Sequence, residues 1–234
     1  LSIVVEDQVF KDGVDIHPVD VFRFVDEEGK TCQTGAVNVY EYQQHFQELS
    51  RQHEAIIQIC LGSGFSSCYS NALLAARDFP NVYVVDSQNL SSGMGHIVYD
   101  AALLAREGVE PGEIKKRLDA LVPKVEASFV INRLDYMAKG GRCSAITAQS
   151  AKVLRLKPCI EVRDGAMIVG RKYRGSFEKA LRTYVQERLK DREDIDYSRV
   201  FITHPACQPE VVEMVRKTIK EFASFNEIIE TNAG

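Results

Sequence analysis

Apolar residues fall into two kinds of run along this chain. AIIQIC (55–60) and NVYVVDS (81–87) are apolar over strand length, the pattern of strands covered on both faces. ASFVIN (127–132) and RVFITH (199–204) read the same way. Between them, SNALLAARDF, GHIVYDAALLAREG and PGEIKKRLDALV space their apolar residues at helical intervals, and FEKALRTYVQERLK and PEVVEMVRKTIKEF do so later. Pro111 and Pro209 stand where a first helical residue needs no hydrogen-bonded N–H. This alternation predicts a mostly parallel sheet covered by helices. Two stretches depart from it. In LSIVVEDQVFKDGVDI a KDG turn between short β-like runs predicts an edge hairpin, and CIEVRDGAMIVGRKYRG repeats the pattern around a DG turn. The expected fold class is α/β, in two α/β lobes. The first spans 1–126 and the second 127–234, divided near Pro123–Ala127.

Composition narrows the function classes. A chain of 234 residues, 45% hydrophobic and 26% charged, can bury a sizeable core. Its net charge of −4 and its lack of like-charge blocks argue against nucleic acid as a partner. No apolar stretch approaches the ~18 residues of a membrane span, and no basic segment with an apolar core opens the sequence. The cysteines Cys32, Cys60, Cys68, Cys143, Cys159 and Cys207 form no CxxC pair and no zinc spacing with histidine. A reduced, cytoplasmic protein without metal or cofactor is the expectation.

Two loops carry the candidate chemistry. LGSGFSSCYSNA (61–72) and VVDSQNLSSGMG (84–95) each end a predicted strand and enter a predicted helix, where open parallel sheets bind ligands. The glycines allow close backbone approach. Ser66, Ser67 and Ser70 offer hydroxyls in the first loop, and Asp86, Ser87, Ser91 and Ser92 offer polar groups in the second. The serines could be helix caps, or they could share an anion pocket with the unpaired N–H groups of the helix starts. Neither GxxxxGK[ST] nor a complete GxGxxG is present, so no phosphate motif is legible. Arg142, in AKGGRCS, follows a helix end capped by glycine, where it could complement the dipole or face a site or partner. Arg171, Lys172 and Arg174 form a basic turn, either solvated or a docking patch. His204 ends a strand in ITHPACQPE, as a cap or a ligand contact.

Taken in order, these segments resemble the DegV family of bacterial fatty-acid-binding proteins, which includes the carrier subunits of fatty-acid kinase. The family's Ser-Gly-Thr-Tyr matches Ser66-Ser67-Cys68-Tyr69, and its Asp-Ser…Ser-x-Gly-x-Gly matches DSQNLSSGMG. Its Leu…Gly-Gly-Arg matches LDYMAKGGRCS (134–144), its Lys-Pro…Asp-Gly…Arg series matches Lys157, Pro158, Asp164, Gly165 and Arg174, and its strand-end His matches His204. The resemblance implies two lobes of the DegV type and a long-chain fatty acid, such as palmitate, in a buried apolar pocket. It implies carboxylate binding by Thr34 and Ser66, which keep the family's spacing, with hydroxyls and backbone N–H groups as donors. Ser67, Ser91, Ser92, Arg142, Arg174 and His204 are then candidates for pocket or partner contacts. Departures occur at Gly35-Ala36-Val37, where the family often has Ser-Gln-Pro, and at Ser67-Cys68, where it has Gly-Thr. The resemblance also places the family's first strand, with its Asp-Ser loop, ahead of Leu1, and a last segment with a His after Gly234.

By the same resemblance the chain is a carrier and not an enzyme. A separate fatty-acid kinase subunit would phosphorylate the bound carboxylate, supplying ATP and metal. Ile97, Val98, Leu103, Leu104, Phe129, Val130 and Ile131 are candidates to line the tail slot or to be plain core. Two other classes compete. A dihydroxyacetone-kinase-like phosphotransferase component would use a His such as His204 to capture a ketose. A thiol protein would use Cys68 near a helix N-terminus.

Overall fold

The computed structural model describes residues 1–132, 156–205 and 207–233. Leu1–Ala127 and Val162–Met167 form one compact unit, and Ser128–Glu161 with Ile168–Gly234 form the other.

The first unit opens with a small antiparallel sheet of β1 (Ser2–Val5), β2 (Gln8–Lys11) and β3 (Cys32–Gly35), in the order β2-β1-β3. The hairpin turns at Glu6-Asp7, not at the predicted KDG, because Val5 pairs with Gln8 and Glu6 takes a φ of +53°. KDG closes a loop of its own. The Lys11 carbonyl accepts the Val14 and Asp15 amides (3.1 and 2.9 Å), and the Asp15 carboxylate accepts the Lys11 N–H (2.9 Å). Ile16 is buried where that loop ends. Helix α1 (Pro18–Phe22) then widens into a π turn over Arg23–Glu27. Helix α2 (Val39–Ser50) starts on a capping box, with Asn38 Oδ1 accepting the Glu41 N–H (2.9 Å) and Glu41 accepting the Asn38 N–H (3.0 Å).

Next come the parallel pair β4 (Ile56–Cys60) and β5 (Val82–Asp86), with α3 (Cys68–Ala76) between them and α4 (Ser91–Arg106) and α5 (Pro111–Leu121) after. Neighbouring strand residues point to opposite faces. Val84 accordingly joins a cluster with Tyr42, Phe46, Cys60, Ala72 and Ala75 of the α2–α3 side. Val85 joins Ile97, Ala101, Ile114, Leu118 and Val122 of the α4–α5 side. Burial on both faces is why these strands read as unbroken apolar runs.

In the second unit β6 (Ser128–Val130) pairs antiparallel with β7 (Leu156–Arg163), which neighbours β8 (Ala166–Arg174). The apolar run 127–132, read like those of parallel strands, thus serves an antiparallel ribbon. The DG turn at the end of this ribbon, itself part of the first unit, stands as predicted, with Asp164 at φ +50° and Gly165 at +72°, the pair of positive angles a type I′ turn needs. Helix α6 (Phe177–Leu189), β9 (Arg199–His204), α7 (Pro209–Phe222) and β10 (Glu227–Asn232) complete the described chain. β9 and β10 are parallel, Arg199 opposite Glu227 and His204 opposite Asn232. Val185, Ile202, Val212 and Ile219 form their core. The α/β class, with parallel strand pairs, covering helices and antiparallel hairpins, is as the periodicity predicts. Among the described residues no helix is long and apolar enough to cross a membrane.

Candidate functional site

β4 and β5 end level, Cys60 beside Asp86, so their two loops leave the sheet at the same height. Asp86 links them. Its Oδ1 accepts the N–H groups of Ser63 and Gln88, both at 3.0 Å, and its Oδ2 accepts the Ser63 hydroxyl at 2.6 Å. A second set of bonds lies deeper. The Gly62 N–H donates to the Asn89 carbonyl (2.9 Å) and the Ser87 N–H to the Cys60 carbonyl (3.2 Å). Ser87 and Asn89 are both buried, with the Ser87 hydroxyl donating to the Asn89 carbonyl (3.0 Å) and accepting its N–H (3.2 Å). A Cβ on Gly62 would stand 2.8 Å from the Asn89 nitrogen, so the loops touch backbone to backbone. The turn at Gly165 belongs to the same unit, and its carbonyl fills the space a Gly64 side chain would need.

Ser66 lies one turn beyond these braced residues, half-buried, its N–H donating to the Gly62 carbonyl (3.3 Å). Its hydroxyl oxygen accepts the Cys68 N–H (3.2 Å), which satisfies one amide of the first turn of α3. Ser67 is the N-cap residue but makes no capping bond with its side chain and is exposed. The helix-cap reading therefore describes Ser66 and not Ser67. Ser91, the first residue of α4, is exposed with φ +47°, and Ser92 beside it is half-buried. Thr34 stands exposed on β3 opposite Ile3. The chain following it is tied to α3, since the Asn71 side chain donates to the Val37 carbonyl (2.8 Å). Thr34, Ser66, Ser67, Ser91 and Ser92 thus all belong to the first unit.

Beneath the first loop the Tyr42 hydroxyl and Cys60 Sγ are 3.8 Å apart. Burial pushes the Cys60 thiol up to about 11 and raises the Tyr42 hydroxyl, to which Cys60 and Cys68 add. Cys68, the candidate of the thiol reading, is 4% exposed. Of the tail-slot candidates, Ile97 is fully buried in the α4–α5 core and Val98 is 44% exposed, so neither outlines a slot.

Arg174 and His204 belong to the second unit. Arg174 is the exposed last residue of β8. His204 ends β9 with both ring nitrogens engaged. Nδ1 accepts the Cys207 N–H (3.1 Å), and Nε2 lies 3.3 Å from Glu230, which also pairs with Arg216 at 2.8 Å. His204 and Arg216 together hold the Glu230 carboxyl below its ordinary range. This geometry anchors a loop and leaves neither nitrogen to attack a ketose. A cavity of about 450 Å³ in this unit is lined by Arg216, Lys220, Ser224 and Asn226 with Ala223, Phe225 and Ile228, a mostly polar lining unsuited to an acyl tail. Arg142 lies outside the described residues. Among those residues no group of three or more His, Cys, Asp and Glu is placed to hold a metal ion.

Sequence reasoning missed Ser63 and Asn89. Their bonds join loops more than twenty positions apart, and no periodicity reports such a link.

Comparison with known proteins places these features in a lineage. The model of the DegV family matches residues 1–234. A DegV domain-containing protein of Clostridium acetobutylicum is 30% identical over 236 residues, covering 100% of this chain and 83% of the relative. The fatty acid-binding protein of Thermotoga maritima is 28% identical over 220 residues, 90% of this chain and 74% of its own length. Among solved structures, a DegV family protein from Thermus thermophilus, described for its fatty acid binding, superposes with a TM-score of 0.83 at 22% identity, covering 99% of this chain and 82% of that one.

Proposed function

The chain belongs to the DegV family, and from that premise we propose that it binds a long-chain fatty acid such as palmitate, the carboxylate held by Thr34 and Ser66 with the first amides of α3. The observation that carries the reading is a half-buried hydroxyl in the loop between a parallel strand and the helix after it, in a family whose Thermotoga maritima member is a fatty acid-binding protein. Ser66 already accepts the Cys68 N–H, so its own proton remains to be donated, and a hydroxyl hydrogen rotates to suit its acceptor.

The two ends of such a ligand differ in energetic weight. Burying a methylene contributes ~0.8 kcal/mol, so fifteen contribute ~12 kcal/mol before association costs. A hydrogen bond to a charged group contributes ~1.5–3 kcal/mol. The tail supplies affinity and the head group supplies orientation. Neutral donors hold the carboxylate without a fixed cation and leave an oxygen able to react. The chain therefore acts as a carrier with no turnover of its own, presenting the carboxylate to a separate kinase subunit for acyl-phosphate formation. Ser67, Ser91, Ser92, Arg142, Arg174 and His204 complete the candidates for pocket or partner contacts.

Native mass spectrometry of the purified protein, followed by solvent extraction, tests the ligand class, with a co-purifying fatty acid near one-to-one expected. Ser66→Ala and Thr34→Ala should each raise the Kd for palmitate by about 10- to 150-fold without unfolding the protein. Unchanged affinity in both variants removes the site assignment. Acyl-phosphate formed by the chain with ATP and fatty acid alone would overturn the carrier reading.

A further inference from the structure

Two loops that hold an anion must be kept in register, and one side chain here touches both. We infer that Asp86 is the positioning residue of the head-group site, binding no ligand itself but fixing where Ser66 stands. The inference rests on the fatty-acid reading and deepens it.

Three donors converge on the Asp86 carboxylate, two from Ser63 and one from Gln88. Ser63 is the residue after Gly62, and Gly62 is the residue on which the turn carrying Ser66 is built. The Gly62 carbonyl accepts the N–H groups of Phe65 (2.8 Å) and Ser66 (3.3 Å). In the other loop, Gln88 takes a φ of +46°, a left-handed backbone that a non-glycine residue holds only when its surroundings enforce it. The bond from its N–H to Asp86 is part of that enforcement. The Gly165 turn lies beside Gln88, whose Cβ is 3.6 Å from where a Gly165 Cβ would stand. Removing the Asp86 carboxylate therefore frees Ser63, at the start of the Ser66 turn, and the strained residue opposite together, while the Gly62–Asn89 backbone bond keeps the loops joined.

The charge has a second effect. Like charges repel, so a ligand carboxylate is turned away from the Ser63 end of the loop and towards the Ser66 end, where the amides of α3 begin. Asp86 selects against the wrong seat as well as building the right one. Asparagine would replace much of it, since its oxygen could still accept the two N–H groups that now share Oδ1 and its amide could donate to the Ser63 hydroxyl, which accepts as well as donates. Alanine removes every acceptor at once.

A structural residue would weaken every ligand alike, whereas a head-group positioning residue separates ligands by their heads. The test measures palmitate and 1-hexadecanol in competition with a fluorescent fatty-acid probe, on the wild type, Asp86→Ala and Ser63→Ala. The wild type should prefer the acid by about tenfold or more. Asp86→Ala should bring the acid-to-alcohol ratio to about one while leaving alcohol affinity within about twofold. Ser63→Ala loses the hydroxyl bond but keeps the N–H bond, so it should lower the ratio by a smaller factor. It also keeps the question decidable should Asp86→Ala fail to fold. An unchanged ratio in the folded variants, or an equal loss of both ligands, overturns the positioning role and leaves fatty-acid binding standing. A wild type that binds neither ligand overturns the fatty-acid reading itself.

Discussion

Gly64 and Gly95 lie in or beside the same candidate site, and the structure gives them opposite roles. The Gly165 carbonyl occupies the space of a Gly64 side chain, whereas a Cβ on Gly95, inside α4, meets nothing within 4 Å. Gly64→Ala should therefore cost ~1–3 kcal/mol, because the obstacle is backbone and cannot swing aside. Gly95→Ala should stabilise by ~0.5–1 kcal/mol by removing backbone freedom from a helix interior. Thermal melts of the two variants check the contrast, and melting temperatures shifted in the same direction would contradict it. Both glycines are visible in the sequence, but which of them is crowded is not. The carbonyl that crowds Gly64 comes from a turn about a hundred positions away. Ser66 was legible because a hydroxyl before a helix is a local signal. Asp86 was legible only as one polar residue among several.

At the scale of elements, periodicity was most reliable where burial was complete. β4, β5 and the helices packed on them were readable, as were the starts of α5 and α7 at Pro111 and Pro209. β3 and β10 were not, since CQTG and EIIETN carry too few apolar residues to register as strands; pairing with β1 and β9 makes them so. The end of β4 also sets a pH dependence. In the unfolded chain the Cys60 thiol titrates near ~8.5, and in the fold it is pushed up to about 11. Its folded value is the higher one, so the contribution is fully present below the unfolded value and is lost as pH rises through the folded one. Chemical denaturation between pH 8 and 11 should show stability falling in the wild type. Cys60→Ala should be less stable at pH 8 yet fall less steeply. Parallel curves would show that this thiol does not titrate in the window.

For the whole chain, the α/β class was readable from alternation alone, because strand and helix periods differ and the chain alternates between them. The membership of each segment was not, since Val162–Met167 joins the first unit after a long excursion into the second. The cysteines report on these units independently. Among the described residues, Cys60 and Cys68 are buried in the first unit and Cys159 in the second, whereas Cys32 and Cys207 are only partly covered, and these five are free thiols. The chain thus carries its own clock. Under a pulse of iodoacetamide, Cys32 and Cys207 should react early, and each buried thiol should wait for its own unit to open. Peptide masses after increasing pulse times would then give two opening rates from one sample. Coincident rates would mean a single cooperative opening, and separated rates would mean that one unit can breathe while the other stays shut.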